Sequence, residues 1–300
     1  MKTYILFLIL AGLMYHQQTN AQTVHQLDTL NRYKFQVGYS KGKQERAKYI
    51  AGMVNDATNF YQKQLGFIPT FKLLILDVDD WKIHALPAVY GMPHYRNDIK
   101  TLVVAADDNA FWRSFNPSSG QLPNELNVQV TKVYTTAKGD LSMQAFFDLL
   151  AIHELGHAFH VQAKLQMQRK WMGELYSNIL LHTFIAEKKP ALLPALTLFP
   201  KMVVATGTKG YLYTSLADAE THYNELGQKY PRNYGWYQCR WHTTAGLIYE
   251  ASGKKAGKEL WKAFKNHPSK LSDQELVAFL ETADANVADM VKNWDASIVN

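Results

Sequence analysis

Two histidines and a glutamate form the part of the sequence best suited to chemistry: His153-Glu154-Leu155-Gly156-His157. The surrounding segment, 144–160, carries little charge and no proline, which favours a buried helix. Residues four apart lie on one face of a helix, so both histidines can bind one metal ion. Glu154 then stands beside the metal, where a general base for metal-activated water is needed. The alternative is a pair of core histidines beside a surface glutamate.

A catalytic zinc site needs three protein ligands and one open position, so a third ligand must come from elsewhere. In one class of zinc enzymes, a histidine follows six residues after the second motif histidine, with a glycine halfway. Those positions hold Ala163 and His160, and we expect His160 to be structural. Glu174 follows His157 by 17 residues, enough for a turn and a second, antiparallel helix. We expect Glu174 to be the third ligand; the alternative is an ordinary glutamate in the first turn of a helix.

The two segments together resemble the gluzincin zinc metallopeptidases, whose signature is an HEXXH helix followed by a glutamate on the next helix. Residues 171–177, Trp-Met-Gly-Glu-Leu-Tyr-Ser, look like the Trp-Leu-x-Glu-x-Phe-Ala segment of the aminopeptidase-like members. Residues 174–178 look like the Glu-x-x-Ser-Asp segment of thermolysin-like members, with Asn178 replacing the aspartate. That aspartate accepts a hydrogen bond from a ligand histidine, as the amide oxygen of Asn178 also could. The resemblance implies one Zn²⁺ ion.

The same resemblance implies a tyrosine on a later helix that stabilises the oxyanion. Tyr237 is the first candidate and Tyr234 the second; with 17 tyrosines in the chain, a packing role is the alternative. Further candidates for the cleft are His222, His242 and Arg240.

The implied substrate is a peptide or protein. An edge strand over 88–94 could pair with an extended peptide, while Glu154 moves a proton from water to the leaving amine. The aminopeptidase motif Gly-Ala-Met-Glu-Asn, which binds a substrate amino terminus, is absent from the sequence.

Residues 1–21 have the pattern of a secretory signal: Lys2, an apolar run from Tyr4 to Tyr15, and a small residue, Ala21. The alternative is a membrane anchor, but the apolar run is too short to span a bilayer. No later segment is apolar for long enough either. We therefore expect an exported protein, periplasmic or secreted, without a transmembrane segment after signal removal.

Composition limits the other function classes. The single cysteine, Cys239, excludes an internal disulfide, and a hydrophobic content of 47% suits a large core. The net charge is +6, or +5 once Lys2 is removed, and the basic residues are scattered along the chain. This distribution gives no indication of nucleic-acid binding.

The elements that must position these residues follow from hydrophobic periodicity. Strands are predicted over 33–39, 71–78, 88–94 and 101–105, with a helix over 43–65 ended by Gly66. A short helix is predicted over 107–115 and a loop over 116–123. From residue 142 onwards the chain is predicted to be nearly all helical, over 142–164, 171–187, 191–199, 215–228, 235–251, 255–265, 272–281 and 284–298.

The predicted fold is α+β and zincin-like. A small mixed sheet with helices forms an N-terminal lobe, 22–141, and a mainly helical C-terminal lobe, 142–300, begins with the HEXXH helix. We expect the two lobes to form a single catalytic unit with the substrate cleft between them.

Two hypotheses besides an exported zinc metallopeptidase remain at this stage. One is an inactive zinc-binding or peptide-binding module, and the other is a hydrolase of a non-protein amide. Glu154 favours an enzyme, because a metal site without turnover does not need a general base.

Overall fold

A computed structural model describes residues 26–86, 89–117 and 123–296 of the chain. The predicted signal segment, 1–21, lies outside the described residues, as do parts of the predicted loop 116–123 and of the predicted strand 88–94. The described residues form 13 α-helices and one five-stranded mixed sheet, which confirms the α+β class.

The sheet combines parallel central strands with antiparallel edges. Its strands are β1 (Asp28–Leu30), β2 (Gln36–Tyr39), β3 (Lys72–Leu76), β4 (His94–Arg96) and β5 (Thr101–Ala105), in the order β1-β2-β3-β5-β4. Strands β2, β3 and β5 run parallel, whereas β1 and β4 pair antiparallel at the two edges. All five residues of β5 are buried, as expected for a strand covered on both faces.

The edge strand β4 begins where the predicted strand 88–94 ends, so that prediction was wrong in its position. Gly91 adopts a left-handed φ of +104°, and its carbonyl accepts a hydrogen bond from the indole nitrogen of Trp112 at 2.6 Å. Pro93 lacks a backbone N–H for a sheet ladder. Residues 89–93 therefore form a turn that leads into a strand of only three residues.

The helices divide between the two halves of the chain. The first half holds α1 (Gln44–Leu65), α2 (Val78–His84), α3 (Ala110–Arg113) and α4 (Asn124–Tyr134). The second half holds α5 (Gln144–Gln162), α6 (Lys170–Lys188), α7 (Leu193–Ala205), α8 (Leu216–Thr221), α9 (Tyr223–Lys229), α10 (Pro231–Ser252), α11 (Lys255–Asn266), α12 (Asp273–Ala283) and α13 (Ala285–Lys292). A 3₁₀ turn, Pro190–Leu192, precedes α7.

Helix α1 matches its prediction and ends as expected. Gly66 follows its last residue in the left-handed conformation, with φ of +66°, which closes the helix at no cost in Cβ sterics. The single helix predicted over 215–228 is instead two short helices, since the chain breaks regular structure at His222.

Helix α5 lies between the sheet and the other helices. It packs against β4 and β5 and against α1 and α6, and α6 in turn packs against α10. An ion pair between half-buried Arg46 of α1 and buried Asp148 of α5 links the two halves of the chain. One continuous hydrophobic cluster runs from the strands through these helices.

In the part of the chain that the structure describes, no helix is long and apolar enough to cross a membrane. The division of the chain into an N-terminal lobe, 22–141, and a C-terminal lobe, 142–300, remains a prediction.

Candidate metal centre

Three potential ligand atoms converge where α5 meets α6. The Nε2 atoms of His153 and His157 lie 3.0 Å apart. Oε2 of Glu174 is 3.2 Å from the first and 3.5 Å from the second. His153 and Glu174 are buried, whereas His157 is half-buried and keeps one side of the group accessible to solvent.

The two helices approach closely because Gly156 has no side chain. A Cβ built on Gly156 would lie 3.0 Å from the Cα, Cβ and Oγ atoms of Ser177. Any larger residue would push α6 away from α5. The N-terminal half of α6 therefore brings Glu174 within reach of the histidines.

Each histidine has a hydrogen-bond partner for its other ring nitrogen. Nδ1 of His153 is 2.8 Å from Oδ1 of Asn178, and Nδ1 of His157 is 3.0 Å from Nε2 of His160. Burial and the neighbouring His157 lower the pKa of His160 to about 3, so His160 is neutral and can accept. With both Nδ1–H groups donated, the Nε2 lone pairs of His153 and His157 face each other and Glu174.

This arrangement fits a tetrahedral cation. Four ligands at about 2.0 Å from zinc stand about 3.3 Å apart, and the three separations here are 3.0, 3.2 and 3.5 Å. Two lone pairs and a carboxylate oxygen at such distances repel each other unless a cation or proton lies between them. The residues present therefore suit a metal such as Zn²⁺.

Two carboxylates lie near the histidines, and geometry separates their roles. The ligand atoms of His153, Glu154 and His157 lie within 4.8 Å of one another. Glu154 therefore forms one polar cluster with His153, His157 and Glu174, which is called the cluster from here on. Glu174 is closer, because one of its oxygens lies within 3.5 Å of both Nε2 atoms. Glu174 suits the ligand position, and Glu154 suits a position beside the metal.

Glu154 lies in a protected environment that favours its protonated form. Burial and the charge of Glu174 raise its pKa to about 8, against the opposing influence of His153 and the backbone N–H of Tyr95. That N–H belongs to the edge strand β4, where alternate backbone groups point away from β5. The outward face of β4 therefore borders the cluster directly.

Comparison of the sequence with known protein families and with curated proteins finds no match.

A hydrogen-bond network surrounds Glu174. Its Oε1 accepts from the Tyr223 hydroxyl at 2.5 Å, and its Oε2 accepts from Nε2 of Gln238 at 3.0 Å. Gln238 also donates to the Tyr234 hydroxyl at 2.8 Å. In the metal-free protein, burial alone would raise the pKa of Glu174. A proton on the Nε2 atoms that face it, through the charge and hydrogen bonds of His157 and His153, holds that pKa well below its usual range.

The structure brings most of the predicted site residues together. His153, Glu154, His157 and Glu174 form the cluster, and Asn178 contacts His153.

Of the two predicted tyrosines, the structure brings only Tyr234 to the cluster. Tyr237 is fully buried, and its hydroxyl donates to the carbonyl of Ser215 at 2.7 Å. Its ring stacks on Trp241 and Trp294. The structure therefore makes Tyr237 a packing residue, which corrects its first place among the oxyanion candidates: its hydroxyl is hydrogen-bonded to Ser215 and its ring stacks on two tryptophans.

The structure places the other three candidates for the cleft in different surroundings. The ring of His242 lies 6.0 Å from that of His153, and burial with the nearby histidines keeps its pKa well below its usual range. His222 stacks on Tyr213 at 4.2 Å. The Arg240 guanidinium lies 4.0 Å from the ring centre of Trp294, where it serves packing rather than the cluster.

The structure adds four residues that the sequence reasoning missed: Tyr95, His160 in its bonding role, Tyr223 and Gln238. Gln238 follows Tyr234 by four residues, a spacing that places both on one face of a helix. That spacing could have indicated Gln238 as a residue of the site. Tyr223 has no such signal, because its contact with Glu174 spans 49 residues of sequence.

Proposed function

We propose that the chain is a zinc-dependent metallopeptidase of gluzincin type, exported from the cell, that hydrolyses peptide bonds. The observation that carries this proposal is the triangle of His153, His157 and Glu174, whose edges match those of a tetrahedral zinc site. The three residues would hold one Zn²⁺. A bound zinc ion supplies a Lewis acid that polarises the scissile carbonyl and lowers the pKa of a coordinated water.

Glu154 is the proposed general base. Its carboxyl borders the cluster without occupying the ligand position, which is where a general base for metal-activated water must stand. Glu154 takes the proton of the attacking water. It then passes that proton to the amine that leaves.

The edge strand β4 is the proposed binding strand for substrate. It is antiparallel to β5, it lies at the sheet edge next to α5, and the backbone N–H of Tyr95 reaches Glu154. An extended peptide can add to such an edge through main-chain hydrogen bonds. This arrangement of edge strand and metal-binding helix supports the prediction of a zincin-like fold. It also favours a peptide substrate over a non-protein amide.

Tyr234 is the proposed donor to the oxyanion. Burial, followed by the charge of Glu174, raises the pKa of its hydroxyl, so the phenol keeps its proton and can donate a hydrogen bond.

The test is zinc analysis together with a peptide-library digest read by mass spectrometry. We expect about one zinc per chain in the purified protein, and cleavage that a chelator abolishes and added zinc restores. His153→Ala and Glu174→Ala should lose zinc and cleavage while remaining folded by circular dichroism. Wild-type protein without zinc, or His153→Ala that binds zinc as well as wild type, would refute the metal centre. Zinc-loaded protein that binds peptides but cleaves none would instead support an inactive binding module.

A further inference from the structure

The two oxygens of Glu174 have different surroundings. Oε2 faces the histidines and also accepts from Gln238 at 3.0 Å, whereas Oε1 accepts from the Tyr223 hydroxyl at 2.5 Å. A carboxylate next to a metal ion can coordinate through one oxygen or through both. Here a strong, short hydrogen bond already occupies the second oxygen.

The directions of the hydrogen bonds in this network are fixed by counting hydrogens. The Gln238 amide has two, and they go to Glu174 and to the Tyr234 oxygen. A carboxylate can only accept, so the single hydrogen of Tyr223 goes to Glu174. The Tyr234 hydroxyl accepts from Gln238 and keeps its own hydrogen for another acceptor.

The fold holds Tyr223 against the same helix that carries Glu174. Tyr223 is the first residue of α9, and the preceding helix α8 is attached to the start of α6. There, a Glu220 carboxylate oxygen accepts from the backbone N–H of Lys170 at 2.6 Å. Tyr234 and Gln238 lie one turn apart on α10, which packs along α6. The carboxylate is thus held from two elements, neither of which carries a metal-binding histidine.

We infer that Tyr223 is a positioning residue that restricts Glu174 to coordination through Oε2 alone. This inference rests on the proposed function. If both oxygens coordinated, the second oxygen would crowd the position that a catalytic zinc site leaves open for water, and an ion that kept its water would be five-coordinate. By holding Oε1, Tyr223 keeps that position free.

X-ray absorption spectroscopy at the zinc edge tests this inference directly, because it counts the oxygen and nitrogen neighbours of the ion. In the wild type we expect one carboxylate oxygen from Glu174, at about 2.0 to 2.2 Å. In Tyr223→Phe the freed Oε1 should turn onto the ion, so that the carboxylate contributes two oxygens. The cobalt-substituted variant should show weaker visible absorption than the wild type, as five-coordinate cobalt does relative to four-coordinate.

Tyr237→Phe is the matched control, since it also removes a single donating phenol hydroxyl. Tyr237 lies on α10 and donates to the Ser215 carbonyl rather than to Glu174. Its zinc and cobalt spectra should equal those of the wild type. Wild-type protein with both Glu174 oxygens on zinc would overturn the inference without any variant, even if Tyr223→Phe fails to fold. Zinc-loaded Tyr223→Phe with the wild-type spectra would also overturn it, while leaving the proposed function intact. Wild-type protein that binds no zinc would overturn both.

Discussion

At the scale of single residues, the candidate centre depends on which nitrogen of each histidine carries hydrogen. Asn178 accepts from His153 and His160 accepts from His157, which turns both Nε2 lone pairs toward Glu174. Such partners fix the tautomer and the orientation of a ring before a metal binds. The use of a neutral imidazole as an acceptor gives His160 a role beyond packing.

We expect His160→Ala to weaken zinc binding by about 10- to 100-fold, because His157 loses the acceptor that orients it. His160→Gln should recover part of the affinity, since its amide oxygen can accept the same hydrogen bond. The affinity is measured by competition with a chromophoric chelator. Thermal unfolding of the metal-free variants serves as the control for folding. Zinc affinity in His160→Ala equal to that of the wild type would show that His160 only packs.

At the scale of elements, the centre depends on the close crossing of α5 and α6. Gly156 permits this crossing, since the position of its missing Cβ is only 3.0 Å from the Cα of Ser177. Backbone atoms cannot move aside as the end of a flexible side chain can. The crossing distance is thus set by one residue of the HEXXH segment that takes no part in chemistry.

Gly156→Ala should destabilise the metal-free protein by about 1–3 kcal/mol, the usual cost of overpacking a core. Gly235→Ala is the matched control: Gly235 also lies in a helix, and nothing is within 4 Å of its added Cβ. This control should stabilise the protein by about 0.4–1 kcal/mol. Urea unfolding monitored by circular dichroism measures both changes. Equal stability of the two variants would contradict the close crossing.

The elements also show what the sequence could predict. Helices α1, α5 and α6 were predictable because a long periodic or uncharged run has few other solutions. Helix α2 was not predicted, although Asp77 accepts from the backbone N–H groups of Asp79 and Asp80 and so caps its start. Its seven residues are too few for periodicity to stand out beside the preceding strand. The capping aspartate was the available signal.

Some residues of the candidate site could also be predicted from the sequence, and others could not. The two histidines, Glu154 and Glu174 were predictable because ligand chemistry restricts residue type and spacing within two consecutive helices. The network around Glu174 was not, because Tyr223 and Gln238 reach it through the packing of α8, α9 and α10. Tyr237 was misplaced for a related reason: spacing along the chain does not determine which face of α10 meets α6.

At the scale of the whole molecule, the sheet, α5, α6 and α10 follow one another in space, and the cluster lies where α5 meets α6. The edge strand β4 borders it from one side through Tyr95, and α9 and α10 border it from the other through Tyr223 and Gln238. The two halves of the chain therefore both contribute to one site. The division of roles between Glu154 and Glu174 is the central claim that follows from this arrangement.

The most direct test of that claim compares zinc content and peptide cleavage in the wild type and in Glu154→Gln. Glutamine keeps the size of the side chain and leaves His153, His157 and Glu174 intact, so zinc should stay at about one per chain. Loss of the base should lower the cleavage rate by about 10²–10⁴-fold, while peptide binding survives. Wild-type cleavage rates in zinc-loaded Glu154→Gln would contradict the account, as would loss of zinc from that variant, which would make Glu154 a ligand.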